Sequence, residues 1–183
     1  LPDADWTPEM FCGGRPGLAP RLQFAQRLAR AGCLVAIPML ISRSDELSGS
    51  PYVAYTNQPH REFLYRQAFE MGRHPIGYEV QKTLAAVDLF SQWAQRRGMS
   101  LPIGVAGVGE GALLAFYAAA LDSRIDATLV CGYFQPREGL WQEPIYRNVW
   151  GLLREFGDAE IAGMVAPRRL VIEFQPSLTS VGR

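Results

Sequence analysis

Apolar residues recur along this chain with two alternating periods, and their order predicts an α/β domain. Residues 18–31 place Leu22, Ala25, Leu28 and Ala29 on one side of a helix, with Arg21, Gln26, Arg27 and Arg30 facing outward and Gly32 as a stop. The following CLVAIPML, residues 33–40, is a continuous apolar run with Pro38 near its end, the pattern of a strand buried on both faces. A helix leading into a buried strand implies a parallel sheet.

From residue 41 to about 59 no period holds, and Ser, Gly, Pro, Asp and Asn dominate, so this is a long loop: either a plain surface excursion or a rim over a pocket. Residues 60–71 have Phe63, Leu64, Ala68 and Met71 at helical spacing. A stronger helix follows, with Ile76, Val80, Leu84 and Val87 on one stripe, extended by Phe90 and Trp93 and ended by Gly98. PIGVA, residues 102–106, is a short strand running into GVGEG, after which residues 112–121 form an alanine-rich helix. A strand over 125–132, a helix near 146–156, a further helical turn capped by Asp158 and a strand over 167–174 complete the pattern. The sum is one domain with an open, mostly parallel sheet and helices on both faces.

Composition narrows the function classes. At 183 residues with 48% hydrophobic content the chain can bury a substantial core. Its 18 basic and 18 acidic residues balance, which argues against nucleic acid as a partner, and no apolar run approaches the roughly 20 residues of a membrane span. Cys12, Cys33 and Cys131 are odd in number, widely spaced and far from any histidine cluster, so a metal site is not expected and they read as small hydrophobes. No motif calls for a cofactor. The relaxed G-x-G-x-x-A spacing of Gly107, Gly109 and Ala112 keeps a dinucleotide turn open as an alternative, against which stands the absence of an acidic residue at the expected place after the next strand.

The chemistry-bearing feature is Gly107-Val108-Gly109-Glu110-Gly111. A short strand, a small-x-nucleophile-x-small turn and an apolar helix form the setting in which α/β-hydrolases raise a nucleophile above the sheet. Here the central position is Gly109, with no oxygen or sulfur to attack a carbonyl. Glu110 is one place later; it reads either as a carboxylate for chemistry or, preferably, as a helix-start charge favoured by the macrodipole.

Together with RQAFEMGRHPIGYEVQKTLAAVDLF and PIYRNVWGLLREFGDAEIAGMVAPRRLVIE, this stretch resembles the acetyl-xylan-esterase and dienelactone-hydrolase-like branch of the α/β-hydrolases over residues 11–174. The resemblance implies an ester hydrolase fold and a small ester or carbohydrate ligand. It maps an oxyanion loop to residues 11–14, with Gly13 and Gly14 supplying one backbone donor and the Glu110 N–H another. It maps the nucleophile to Gly109. The family's acid has only Glu173 as a match, and its histidine would lie beyond residue 183, so the C-terminal part of the fold is expected to be missing. Three functions follow as alternatives: an ester-hydrolase relative without serine-esterase chemistry, a non-catalytic domain that binds a ligand or partner, and a hydrolase completed by residues past the C-terminus.

Only His60 and His74 exist, both upstream of the turn and out of the Ser, acid, His order of this fold. His74 reads as a helix-entry residue and His60 as a loop residue, either able to line a pocket with Arg61. Arg61, Arg66 and Arg73 with Tyr65 and Tyr78 form either an anion or sugar grip or a solvated charged face. Trp141, Tyr146 and Trp150 suit either a sugar-stacking platform or core packing.

Overall fold

A computed structural model describes residues 1–46 and 58–174. Among them three strands, β1 (Ile103–Val108), β2 (Ile125–Cys131) and β3 (Arg169–Glu173), form one parallel sheet in the order β1-β2-β3. Val108 lies opposite Cys131 and Cys131 opposite Glu173, so the strands end in register at one edge. The protein is therefore α/β, with a small open parallel sheet.

The helix between β1 and β2 explains where the core sits. Helix α5 (Glu110–Leu121) is apolar on every side, and such a helix must be enclosed on all sides. It lies on the sheet, and Ala112, Leu113, Leu114, Ala115 and Phe116 are fully buried. Helices α4 (Pro75–Gln95) and α7 (Asp158–Val165) pack around it. The entry to α4 has its own local logic: Pro75 needs no hydrogen bond at the first helical position, and the His74 ring accepts from the Ile76 N–H at 3.1 Å. At the start of α7, Glu160 folds back to accept from the Gly157 N–H at 2.8 Å. Gly157, not Asp158, is the cap; the Asp158 carboxylate turns inward and takes the Gln135 N–H at 3.2 Å.

Several sequence expectations are corrected. Residues 18–31 break into a 3-10 turn, Pro20–Leu22, and a short helix α2 (Phe24–Arg30), in which only Ala25 is buried. A still shorter helix, α1 (Pro8–Phe11), precedes them, with the Thr7 hydroxyl accepting from the Met10 N–H. The largest departure is 33–40: this apolar run joins no strand, and Leu34 is 59% exposed. Apolar side chains express a preference for burial, but a strand exists only where a neighbouring backbone completes its ladder. Here the run faces β1 across an open groove that also reaches the sheet face away from α5. That face is open where helices on both sides were expected, and Val171 is 44% exposed.

Helix α3 (His60–Glu70) buries Arg61, Tyr65 and Ala68, so that of the expected stripe Phe63, Leu64, Ala68 and Met71 only Ala68 is buried. The predicted helix over 146–156 is a 3-10 turn, Ile145–Arg147, and a single turn α6 (Leu152–Glu155), parted by Gly151 at φ 77°. Trp141 and Trp150 stand exposed while Tyr146 is buried, so the three neither share a platform nor pack together in the core. Cys131 is buried, Cys12 half-buried and Cys33 exposed. Most of the loop expected over 41–59, and the tail after residue 174, lie outside the described residues.

Candidate functional site

The strand–bend–helix junction of β1 and α5 is too tight for side chains. A Cβ on Gly107 would lie 2.0 Å from the Gly111 carbonyl oxygen, and one on Gly111 would lie 2.3 Å from that of Pro2. Gly109 caps α5 at φ 56° and ψ −116°, a left-handed conformation that L side chains rarely adopt, and its N–H donates to the Cys131 carbonyl at 2.9 Å. The bend is thus held to the end of β2 by its own backbone.

A side chain does reach the apex, from elsewhere in the chain. Leu1 extends along the outer edge of β1, its nitrogen donating to the Ala106 carbonyl at 2.5 Å and its carbonyl accepting from the Val108 N–H at 3.2 Å. That anchor brings Asp3 over the bend, where Oδ1 accepts from the Glu110 N–H at 2.9 Å. A Cβ built on Gly109 would fall 2.6 Å from the same oxygen. Arg43 holds the Asp3 carboxylate and also bonds Asp5 at 2.8 Å. The space that a side chain at 109 would enter is therefore filled by a carboxylate, and the first amide of α5 is engaged by it.

Beneath the apex the Glu110 side chain is fully buried at the first turn of α5. Arg147 grips Oε2 through Nε at 3.0 Å and Nη2 at 2.9 Å, and Arg61 approaches Oε1 at 3.3 Å. Arg61 is itself fully buried and bonds Glu79 Oε2 at 2.5 Å and the Ile41 carbonyl at 3.1 Å; Glu79 Oε1 accepts the Ile41 N–H at 2.7 Å. The Arg61 guanidinium also lies 5.3 Å from the Tyr146 ring centre.

Burial disfavours the charge on Arg147, yet the Glu110 and Glu143 carboxylates more than offset this and hold its pKa above the ordinary value. Burial, and then the Glu110 charge, push the Tyr146 hydroxyl upward. Three guanidinium groups, Arg43, Arg61 and Arg147, thus face three carboxylates, Asp3, Glu79 and Glu110. Such a cluster is tolerable in the interior because each charge has an opposite partner in hydrogen-bonding contact.

No family model, no curated protein and no solved structure matches the chain. The site's reading therefore rests on its own geometry.

That geometry brings some of the expected residues together and leaves others apart. Gly107, Gly109, Glu110, Gly111 and Arg61 converge. Gly13 and Gly14 do not: their N–H groups donate to the Met10 and Glu9 carbonyls at the end of α1, so both amides are consumed locally instead of serving as oxyanion donors. The backbone facing the bend is Leu1 to Asp3 instead. His60 and His74 make no hydrogen bond to the bend among the described residues. The His60 N–H donates to the Ser44 carbonyl, and His74 is engaged through both ring nitrogens, with Asn148 O 3.3 Å from Nε2. Burial lowers the His74 pKa, and the nearby Arg61 charge adds to it, so the ring is a neutral helix cap that donates from Nε2.

Arg61, Arg66, Arg73, Tyr65 and Tyr78 do not form a common grip. Arg61 and Tyr65 are buried, Arg66 pairs with Glu62 on its own helix, and Arg73 and Tyr78 are exposed. Sequence reasoning missed Asp3, Arg43, Glu79 and Arg147. One signal was available: Glu79 lies three residues after Ile76 and eight before Val87, inside the apolar stripe of α4, where a charge requires a buried partner.

Proposed function

We propose that this chain is an ester-hydrolase-type α/β domain, related to the acetyl-xylan-esterase and dienelactone-hydrolase-like branch, that has no serine-esterase chemistry at its strand–bend–helix junction. One observation supports this reading above the rest: Asp3 fills the apex over Gly109 and accepts the Glu110 N–H. Acyl transfer needs a nucleophile at that apex and donors aimed at the oxygen that gains negative charge. Gly109 supplies no nucleophile, and an ester oxygen arriving at the amide would meet a carboxylate, whose repulsion opposes the developing charge. Glu110 is no substitute base, because both its oxygens are bound by arginine in the interior.

Hydrolysis of p-nitrophenyl acetate tests the reading. The wild type and Gly109→Ser are both expected to match the protein-free rate, since a Cβ at 109 collides with Asp3. Removing that carboxylate in an Asp3→Ala, Gly109→Ser double variant is expected to raise the rate above it. Steady turnover by the wild type that Gly109→Ser leaves unchanged would overturn the reading. A non-catalytic binding domain is the second reading, favoured by the apolar groove beside β1.

A further inference from the structure

His74 stands where a single proton decides two contacts. Its Nδ1 accepts from the Ile76 N–H at 3.1 Å, and because an amide nitrogen only donates, this ring nitrogen must carry a lone pair. Its Nε2 lies 3.3 Å from the Asn148 carbonyl oxygen, which only accepts, so the ring proton sits there. The neutral ring with its proton on Nε2 is the one form that satisfies both. The first contact caps α4, and the second ties that helix end to the segment that follows the turn Ile145–Arg147.

That segment belongs to the buried charge cluster. The Arg61 guanidinium lies 5.3 Å from the Tyr146 ring centre, and Arg147 binds Glu110 at 2.9 Å and Glu143 at 3.3 Å. His74 thus links the entry of α4 to the residues that hold Glu110 in place.

A second ring proton has no favourable setting. It turns Nδ1 into a donor facing the Ile76 N–H, itself a donor, and it adds positive charge at the N-terminus of a 21-residue helix, where the macrodipole opposes it. The first turn of α4 has no acidic residue to compensate. From α3 the ring faces the Arg61 guanidinium, a like charge, and the Tyr65 ring at 5.2 Å, edge to face. From residues 145–148 it faces the Asn148 carbonyl, while Arg147 is turned to Glu110 and Glu143.

We infer that His74 is a proton-operated latch: the neutral ring fastens residues 145–148 to the entry of α4, and protonation releases them. The direction follows from linkage. Burial and the Arg61 charge outweigh the Asn148 hydrogen bond and hold the fastened ring below its ordinary pKa of 6.5. The released state therefore takes up the proton more readily, and release grows as pH falls below about 6.5. The latch is independent of the ester-hydrolase reading, because it uses neither Gly109 nor Asp3.

Hydrogen exchange of the wild type and His74→Asn at pH 8 and pH 5, with each rate divided by the intrinsic rate at that pH, tests the latch. Asparagine is a preferred helix cap and does not titrate in this range. Protection of the Ile76, Arg147 and Asn148 amides in the wild type is expected to fall about fivefold from pH 8 to pH 5, the weight of about one hydrogen bond. In His74→Asn the same amides are expected to be equally protected at both. Proton NMR of the wild-type ring, identified by its contact with Tyr65, is expected to show titration below 6.5. An equal fall in both proteins would overturn the proposal, as would wild-type protection that pH leaves unchanged or a His74 ring that titrates at 6.5 or above.

Discussion

Arg61→Met is expected to destabilise the fold by about 3–5 kcal/mol, because it leaves buried carboxylates without their counter-charge. The Arg61 guanidinium stands between Glu79 at 2.5 Å and Glu110 at 3.3 Å, and all three side chains are fully buried. Glu110 keeps Arg147, whereas among the described residues Glu79 keeps only the Ile41 N–H. The loss therefore falls mainly on Glu79, and adding Glu79→Gln to Arg61→Met is expected to recover a large part of it. Urea titration of the two single variants and the double variant measures this as a double-mutant cycle. An Arg61→Met midpoint matching the wild type would show that the cluster contributes no net stability. Equal and additive losses would show that Arg61 and Glu79 are not coupled.

The second large effect concerns Gly107, where an added Cβ would lie 2.0 Å from the Gly111 carbonyl oxygen and 2.6 Å from the Ala112 nitrogen. Both are backbone atoms of the first turn of α5, so no flexible side chain can give way, and Gly107→Ala has to open the bend or displace the helix. The loss is expected to be about 3 kcal/mol, the upper end of what overpacking costs. Urea titration of Gly107→Ala beside Gly104→Ala, whose Cβ would meet only the Ala127 carbonyl oxygen at 3.6 Å, measures it; equal midpoints would refute it.

Both effects bear on the candidate site, because Gly107 shapes the bend and the arginine cluster fixes the carboxylate beneath it. Leu1 fixes the strand that delivers Asp3 to the apex, and Arg61 and Arg147 fix the carboxylate beneath it. The junction is closed above by a carboxylate and filled below by compensated charge. Its rigidity follows from the same contacts: the glycines at 107 and 111 have no room for a Cβ.

How much was legible beforehand differs from element to element. The tract of β1, bend and α5 could be read closely because its determinants are local. A glycine-spaced turn permits the sharp bend, and a helix apolar on all sides has one destination. The stripe of α4 was equally plain, and Glu79 within it was an overlooked sign of a buried charge. Arg61 was harder, since an arginine among Glu62, Arg66 and Gln67 looks like any solvated helix face. Its burial comes from Glu79 and Glu110, which are 18 and 49 residues away. Nothing local to Gly13 and Gly14 told that their amides would be spent on α1.

By itself, then, the order of residues determined an α/β alternation, the β1–α5 bend and the absence of any reactive atom at position 109, since period and side-chain identity are properties of the chain alone. Tertiary structure alone decided that Asp3 fills the apex, that charges from distant segments pair with one another above and beneath it, and that residues 33–40 remain outside the sheet. The reason is common to all three: hydrogen bonds, ion pairs and strand ladders are completed by partners, and a partner's position depends on the whole fold.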